Sequence, residues 1–441
     1  MRLNSLSNRP RTHEGGPAAH ISPEAQLERS VLACLLWEDG FYEGGVKIAE
    51  RIKDLTARCS AGFVAQLAIK AREEGRLRHA PLLLARELAR HPGKPKMAET
   101  LARVIQRADE PAEFLALYWR EGRQPLSKQV KLGLARALQK FDAYQLAKYN
   151  RGGAVKLRDV LFLSHAKPKD EAQAEVWRQL AGQTLPSPDT WEVALSAGAD
   201  KRETFTRLLV EGKLGYLALL RNLRNMAEAG VEEGLIREAL LRDAAGAKVL
   251  PFRFIAAARA VPRLEAVLDQ ALKLALAGRP RLAGRTLVLV DVSGSMVGQL
   301  SQKSELNRLD AAGALAVLFC ELSAEARVFS FSNDLVEVPS RQGLALMDAL
   351  YHSQPHGGTL LGAAVAKLNN ETFDRLIVLT DEQSADRVPD PAGLGYMINV
   401  ASYAYGVGYG PWTHINGFSE AVVQYVQALE SPNAAEGCLE Q

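Results

Sequence analysis

The chain has 441 residues, 47% of them hydrophobic, four cysteines and a formal net charge of +3 at pH 7. That length predicts two or three domains. The cysteines Cys34, Cys59, Cys320 and Cys438 stand far apart with no Cys-x-x-Cys pair, which excludes a zinc ribbon and gives no basis for a disulfide scaffold. Residues 1–20 carry no apolar signal segment, and no later stretch approaches the ~18 unbroken apolar residues of a membrane span, so a soluble cytoplasmic protein is expected.

In chain order, residues 1–20 read as a flexible arm, with Gly15-Gly16-Pro17 breaking any periodicity, and Ser22-Pro23-Glu24 then supplies an N-cap followed by Pro at the first helical position. From there to about residue 280 the pattern is helical. Segments 25–37, 62–74, 80–90, 96–108, 112–120, 127–139, 171–181, 201–212 and 216–229 place apolar residues three and four apart, with short Gly-, Pro-, Asp- and Asn-rich turns between. Many helices of three or four turns on short links predict stacked helical hairpins, a HEAT-like α-solenoid. Charge divides along the same line. From residue 284 onward there are 8 Lys/Arg against 18 Asp/Glu, a net of −10, leaving 46 against 33, or +13, for residues 1–283. A basic body attracts polyanions, of which nucleic acid is the commonest large one in cytosol, whereas the acidic remainder repels them. The bland alternative is a surplus that serves solubility only.

Past Leu282-Ala-Gly-Arg285 the pattern changes to strand 286–290, helix 307–322, strand 326–332, helices 344–351 and 361–368, strand 375–380, strand 397–405 and helix 417–429, an alternation that predicts a doubly wound α/β sheet. The boundaries are therefore an arm 1–20, a helical domain 21–283, an α/β domain 284–430 and a tail 431–441. Three short stretches fall where apolar strands end: Asp291-Val-Ser293-Gly-Ser295, Thr359 within His356-Gly-Gly-Thr, and Asp381 within Leu-Thr380-Asp381-Glu. In a parallel sheet they converge at the carboxyl edge, where such folds bind ligands. Two acids and three hydroxyls form a hard oxygen set that suits Mg²⁺ or another divalent cation. An aspartyl-phosphate enzyme would want a second Asp at position 293, where Ser stands. A serine hydrolase would want Gly-x-Ser-x-Gly, which neither serine has. Binding rather than catalysis is expected, and a capped strand end is the structural alternative.

The five residues resemble the metal-ion-dependent adhesion site of von Willebrand factor A domains, Asp-x-Ser-x-Ser with a distant Thr and a distant Asp. The resemblance implies that Ser293, Ser295 and Thr359 touch the metal, that Asp291 and Asp381 act through water, and that the electron-poor ion takes an acidic oxygen from a partner.

The helical part has its own wording. Lys148-Tyr149-Asn-Arg151-Gly152-Gly153 with Leu157-Arg158-Asp159-Val-Leu-Phe-Leu163-Ser164-His165-Ala-Lys167-Pro168, then Tyr216-Leu-Ala-Leu-Leu-Arg221-Asn222-Leu223-Arg224-Asn225-Met226 and Leu250-Pro251-Phe252-Arg253-Phe254, resemble the Ro ribonucleoprotein family and its TROVE module. The order of the pieces is the family's. The resemblance implies a helical-repeat ring closed by a von Willebrand factor A-like domain. It also implies binding of small noncoding Y RNA on the basic face, passage of misfolded RNA ends through the hole, RNA quality control, a monomeric ring and an exoribonuclease as a further partner. Lys148 and His165 match the family's RNA contacts in place, and Arg151 sits one position early. Arg158, Lys167 and Lys169 extend the patch. Arg221 and Arg224 are candidates whose alternative is a solvated or ion-paired helix face, as helix capping is for His165. Aromatic residues are sparse in the basic body, so phosphate contacts rather than stacking are expected to carry affinity. The expected function is a non-enzymatic, RNA-binding, Mg²⁺-binding ribonucleoprotein. The alternative is a metal-dependent protein-interaction scaffold without RNA, and a metal-assisted hydrolase comes third.

Overall fold

The computed structural model describes residues 10–33, 42–93, 96–150, 153–247, 249, 252–299, 306–417, 419 and 421–430. They divide into two compact units, Ala49–Asp200 and a second made of Met1–Ile48 with Lys201–Gln441.

Regular structure in the first unit is helical throughout the described residues. Ala61–Glu73 packs on Met97–Val104, which packs on Lys128–Leu138, which packs on Leu157–Ser164; His79–Arg90 packs in turn on Glu110–Tyr118. Alternate helices thus touch one another, the two-layer stacking of helical repeats that the three-and-four spacing anticipated. The layers approach closely at Gly133, where a Cβ would lie 2.9 Å from the Leu101 Cβ and 3.0 Å from the Ala98 carbonyl oxygen. Side-chain caps start several of these helices: Ser60 accepts from Phe63 N, Ser127 from Val130 N, and Asp142 from Gln145 N.

The second unit holds helices Lys201–Val210, Tyr216–Arg221, Leu223–Glu228, Glu233–Arg242, Phe252–Ala260 and Glu265–Leu276, then an α/β domain. Its sheet comprises β1 (Leu282–Asp291), β2 (Ser323–Phe331), β3 (Leu335–Glu337), β4 (Arg375–Thr380), β5 (Leu394–Asn399) and β6 (Thr413–Asn416), in the order β3-β2-β1-β4-β5-β6. All pairs are parallel except β2 with β3. The strand order reverses between β1 and β4, so the switch point lies between the ends of those two strands. Both are buried along their last six positions, which explains why they read as continuous apolar runs rather than alternating ones. One face packs Leu287, Leu289, Phe329, Phe331, Leu376, Val378 and Met397 against Leu361 and Val365; the helix Arg308–Glu321 also packs on β1, β2 and β4.

Most expected elements lie within a few residues of the observed ones, but the expected helix 216–229 is two, Tyr216–Arg221 and Leu223–Glu228, broken at Asn222, and other departures follow. The expected strand 397–405 is β5, ending at Asn399, because the carbonyls of Tyr403 and Tyr405 are drawn to the buried Arg29 guanidinium instead of a ladder partner. The short edge strands β3 and β6 have no counterpart in the sequence reading. Residues 10–20, expected as a flexible arm, are packed: Thr12 is buried and its hydroxyl donates to the Ser384 carbonyl at 2.7 Å. The tail 431–441 and residues 1–9 lie outside the described residues.

Candidate metal centre and basic surface

β1 delivers Asp291 and β4 delivers Asp381 to the two sides of the switch point, both fully buried, with Ser293, Ser295 and Thr359 at most 3% exposed. After Asp291 the chain turns sharply. Ser293 N donates to Asp291 Oδ1 at 2.9 Å, and the Ser293 and Ser295 hydroxyls lie 3.2 Å apart. Thr380, at the end of β4, donates its hydroxyl to the other oxygen, Asp291 Oδ2, at 2.6 Å. Asp381 repeats the first turn: its Oδ1 accepts from Gln383 N at 3.1 Å. The third loop is tied to both of the others. Gly294 N donates to Gly357 O at 3.0 Å, and the Thr359 carbonyl accepts from Ala385 N at 2.8 Å. Ser332 and Asn333, past the end of β2, hold this loop from below through Gly357 N and Gly358 N, so closely that a Cβ on Gly357 would lie 2.5 Å from Asn333 Nδ2. The His-Gly-Gly-Thr spelling is therefore steric.

Electrostatics at this edge favour a cation. Burial and the facing Asp381 raise the pKa of Asp291. Burial raises that of Asp381 as well, against a lowering by the Ser295 hydroxyl and the Arg308 guanidinium. Asp381 Oδ2 is buried with no hydrogen-bond partner among the described residues. An orphaned carboxylate oxygen beside a second buried carboxylate and two hydroxyls is the donor set a hard divalent ion requires, so the residues fit the group. Among the described residues no group of three or more His, Cys, Asp or Glu forms a metal cluster, so any ion here relies on hydroxyls as well as the two acids. Thr380, Arg308 and Tyr42 also belong to this neighbourhood, and the sequence reading missed them. Of these only Thr380 carried a local signal, as the residue preceding Asp381.

In the helical-repeat unit, Lys148 lies in the last turn of Ala143–Tyr149, its ammonium 5.9 Å from the Tyr144 and Tyr149 ring centres. Arg158 opens the helix Leu157–Ser164 and lies 3.8 Å from Asp159 Oδ1. His165 ends that helix in the left-handed region at φ +52°, its N–H bonded to Phe162 O. The capping is therefore done by the backbone, and the residue's side chain is left on an exposed corner. Lys167 and Lys169 follow on the exposed link to Glu171–Gly182. Lys148, His165, Lys167 and Lys169 have no ion pair with a described carboxylate. Tyr144 and Phe162, 50% and 62% exposed, flank them, so aromatic faces are on offer that the composition did not suggest. Arg151 lies outside the described residues. Arg221 and Arg224 are exposed but belong to the other compact unit.

Among the described residues no helix is long and apolar enough to cross a membrane. The TROVE domain profile matches residues 171–325, and the Ro60 vWA domain profile matches residues 285–393, which contain all five residues of the metal centre. The crystal structure of the Deinococcus radiodurans RO (RSR) protein is similar with a TM-score of 0.62 at 21% identity, covering 92% of this chain and 99% of that one, a likeness of fold. Telomerase protein component 1 of Mus musculus and of Rattus norvegicus are each 35% identical over 89 residues, 19% of this chain; the match spans 3% of the length of those relatives. With the helical repeats leading into a domain whose sheet edge carries the adhesion-site residues, and with both profiles matched in that order, the chain is a member of the Ro ribonucleoprotein family.

Proposed function

We propose that the chain is a non-enzymatic RNA-binding protein of the Ro type, which holds a small structured noncoding RNA, Y-like in character, on the basic face of its helical repeats. The observation that carries this reading is the group of half-buried Lys148 and exposed His165, Lys167 and Lys169 without acidic partners among the described residues, in a sequence whose residues 1–283 carry a net charge of +13. Cations without acidic partners raise the local positive potential that attracts a polyanion, and each phosphate contact releases counterions. Arg151 and Arg158 extend the proposed RNA surface, exposed Tyr144 and Phe162 supply stacking faces, and Arg221 and Arg224 are separate RNA-binding candidates in the other compact unit. Ends of misfolded RNA are a second ligand class, with an exoribonuclease as the consumer of such ends. The functional boundaries fall at 21–283 for the RNA-binding part and 284–430 for the metal-binding part, in a monomer acting in the cytoplasm.

In the second part, Ser293, Ser295 and Thr359 would hold Mg²⁺ directly, with Asp291 and Asp381 behind them. When bound, the ion offers a coordination position to an acidic oxygen. A scaffold that works through this metal alone is the second reading, favoured by the orphaned Asp381 oxygen. One experiment separates them. Filter binding of a labelled small structured RNA is titrated over a salt series, with and without EDTA, for the wild type and for Lys148→Ala/His165→Ala/Lys167→Ala/Lys169→Ala. Affinity that survives EDTA and falls in the variant supports RNA binding at this surface. No binding by the wild type at low salt, or equal affinity in the variant, overturns it.

A further inference from the structure

Residues 10–18 fold into a tight loop of their own. Arg11 and Pro17 bridge antiparallel, Thr12 N donates to Gly16 O at 3.0 Å and Ala18 N to Pro10 O at 3.0 Å, with Gly15 at φ +87° allowing the reversal. This loop is seated on the segment that follows Asp381. The Thr12 hydroxyl donates to Ser384 O at 2.7 Å, His13 N donates to Gln383 Oε1 at 2.9 Å, and Ala19 N donates to Gly406 O at 2.9 Å. Gly16 makes the approach possible, since a Cβ there would lie 2.3 Å from Ser384 O.

The seating brings the loop's only acid to the metal centre. The Tyr42 hydroxyl donates to the Glu14 carboxylate, and the same phenol is hydrogen-bonded to Ser295 and feels the charge of Asp381. Glu14 is thus one hydroxyl removed from a residue that would hold the ion. Tyr42 is itself fixed in place. His13 stacks on it at 4.8 Å between ring centres, and Tyr403 meets both rings edge-on at 5.3 and 5.2 Å, with the Arg308 guanidinium 5.5 Å from the Tyr403 ring centre. Two facing carboxylates, Asp291 and Asp381, therefore meet at this edge, with Arg308 the cation facing Asp381, and Glu14 stands beyond them on the far side of the Tyr42 hydroxyl. The facing pair is repulsive until a divalent cation enters it.

We propose that Glu14 is the acidic partner of the metal centre: the loop of residues 10–18 supplies in cis the carboxylate that such an ion takes from outside, and an external acidic ligand binds only by displacing it. The proposal rests on the metal reading given above. A tethered carboxylate has the advantage of effective concentration over a free one, so the site is self-occupied at rest and opens when residues 10–18 lift away.

The test uses the full chain with Mn²⁺ as probe, following affinity and, through water-proton relaxation, the water bound to the ion. Glu14→Gln keeps an oxygen acceptor for Tyr42 and removes only the charge. Gly16→Ala unseats the loop with Glu14 intact, and Ser293→Ala/Asp381→Ala removes the site. Expected for both Glu14→Gln and Gly16→Ala is Mn²⁺ affinity lower by about tenfold, the scale of losing a supporting carboxylate. The bound ion should carry more water, and added acetate should displace that water in the two variants but not in the wild type. If Glu14→Gln matches the wild type in affinity, hydration and acetate response while Ser293→Ala/Asp381→Ala loses the ion, the cis ligand is wrong and the metal reading stands. If the wild type binds no Mn²⁺, or binds it as tightly as Ser293→Ala/Asp381→Ala, the metal reading fails and the cis ligand with it.

Discussion

Arg29 is fully buried in the helix Pro23–Leu32, and its guanidinium is satisfied entirely by residues more than 350 positions away. Nε donates to Tyr403 O at 2.6 Å, Nη2 to Tyr405 O at 3.0 Å, and Nη1 to Glu382 Oε2 at 2.7 Å and to the Tyr409 hydroxyl at 3.0 Å. Glu382 is also fully buried and is further held by His414 and by Val407 N. Replacing Arg29 by Met preserves most of the volume but leaves the buried Glu382 carboxylate without its guanidinium and strands the buried Tyr403 carbonyl, whereas the Tyr405 carbonyl keeps the Gln383 amide at 2.9 Å. Breaking one side of a buried ion pair costs ~3–5 kcal/mol, the range expected here. The readout is local opening free energy from amide exchange in residues 23–32 and 399–407, because a chain of two compact units need not unfold in a single step. In a cycle with Glu382→Gln, the double variant should lose less than the sum of the singles by about 2–3 kcal/mol, since it leaves no unpaired charge. A loss under ~1 kcal/mol for Arg29→Met, or strict additivity, would refute the claim that this pair fastens the first helix to the sheet.

Acid sensitivity should follow from the same pair. Burial acts to raise the Glu382 pKa, but Arg29 and His414 outweigh it and hold the carboxyl at about 2, against an ordinary 4.5. Its contribution, on the order of 3 kcal/mol, is therefore complete above pH 4.5 and lost as pH falls toward 2, and Glu382→Gln should flatten the melting-temperature profile in that window. Asp291 has the opposite sign: its pKa is raised, so in EDTA the folded state loses stability as pH climbs above the ordinary carboxylate range. Asp291→Asn should then melt above the wild type at pH 8, by the equivalent of at least about 1 kcal/mol, and the order should reverse when Mg²⁺ is added. Equal melting in EDTA at pH 8 would show that the paired carboxylates carry no stored repulsion. Gly133→Ala should lower stability by roughly 1–3 kcal/mol, because the added Cβ overpacks Leu101 and the Ala98 carbonyl, as read by thermal melting. In the RNA titration, Lys148→Ala/His165→Ala/Lys167→Ala/Lys169→Ala should reduce the magnitude of the salt slope by roughly 0.7–0.9 for each phosphate left without its cation, with an unchanged melting temperature.

Part of this molecule is written locally. Asp291, Ser293 and Ser295 lie within five residues of one another at a strand end, and Thr359 and Asp381 each sit where an apolar run stops. Strand periodicity and a parallel order suffice to bring those ends to one edge. The helical repeats are legible for the same reason, since each helix buries a stripe spaced three and four against its neighbours. His165 was ambiguous from sequence, because a helix-terminal His is written the same way whether its ring or its backbone closes the helix. Its φ of +52° resolves that in favour of the backbone.

What the chain's ends do was not legible. Residues 10–18 are polar and interrupted by glycine, which locally spells a free arm, and Arg29 occupies a helix position that reads as a solvated cation. Their partners, Gln383 and Ser384 for the loop and Glu382 with the 403–405 carbonyls for Arg29, are more than 350 residues distant. A run such as Val400-Ala-Ser-Tyr403 has strand propensity and becomes a loop because a buried guanidinium claims its carbonyls. Local pattern fixes the elements and the residues of the metal centre, since period and spacing are short-range properties. Burial of a charge or the seating of a polar loop is decided only when the tertiary fold supplies the counter-charge and the acceptors, because neither is stable without them.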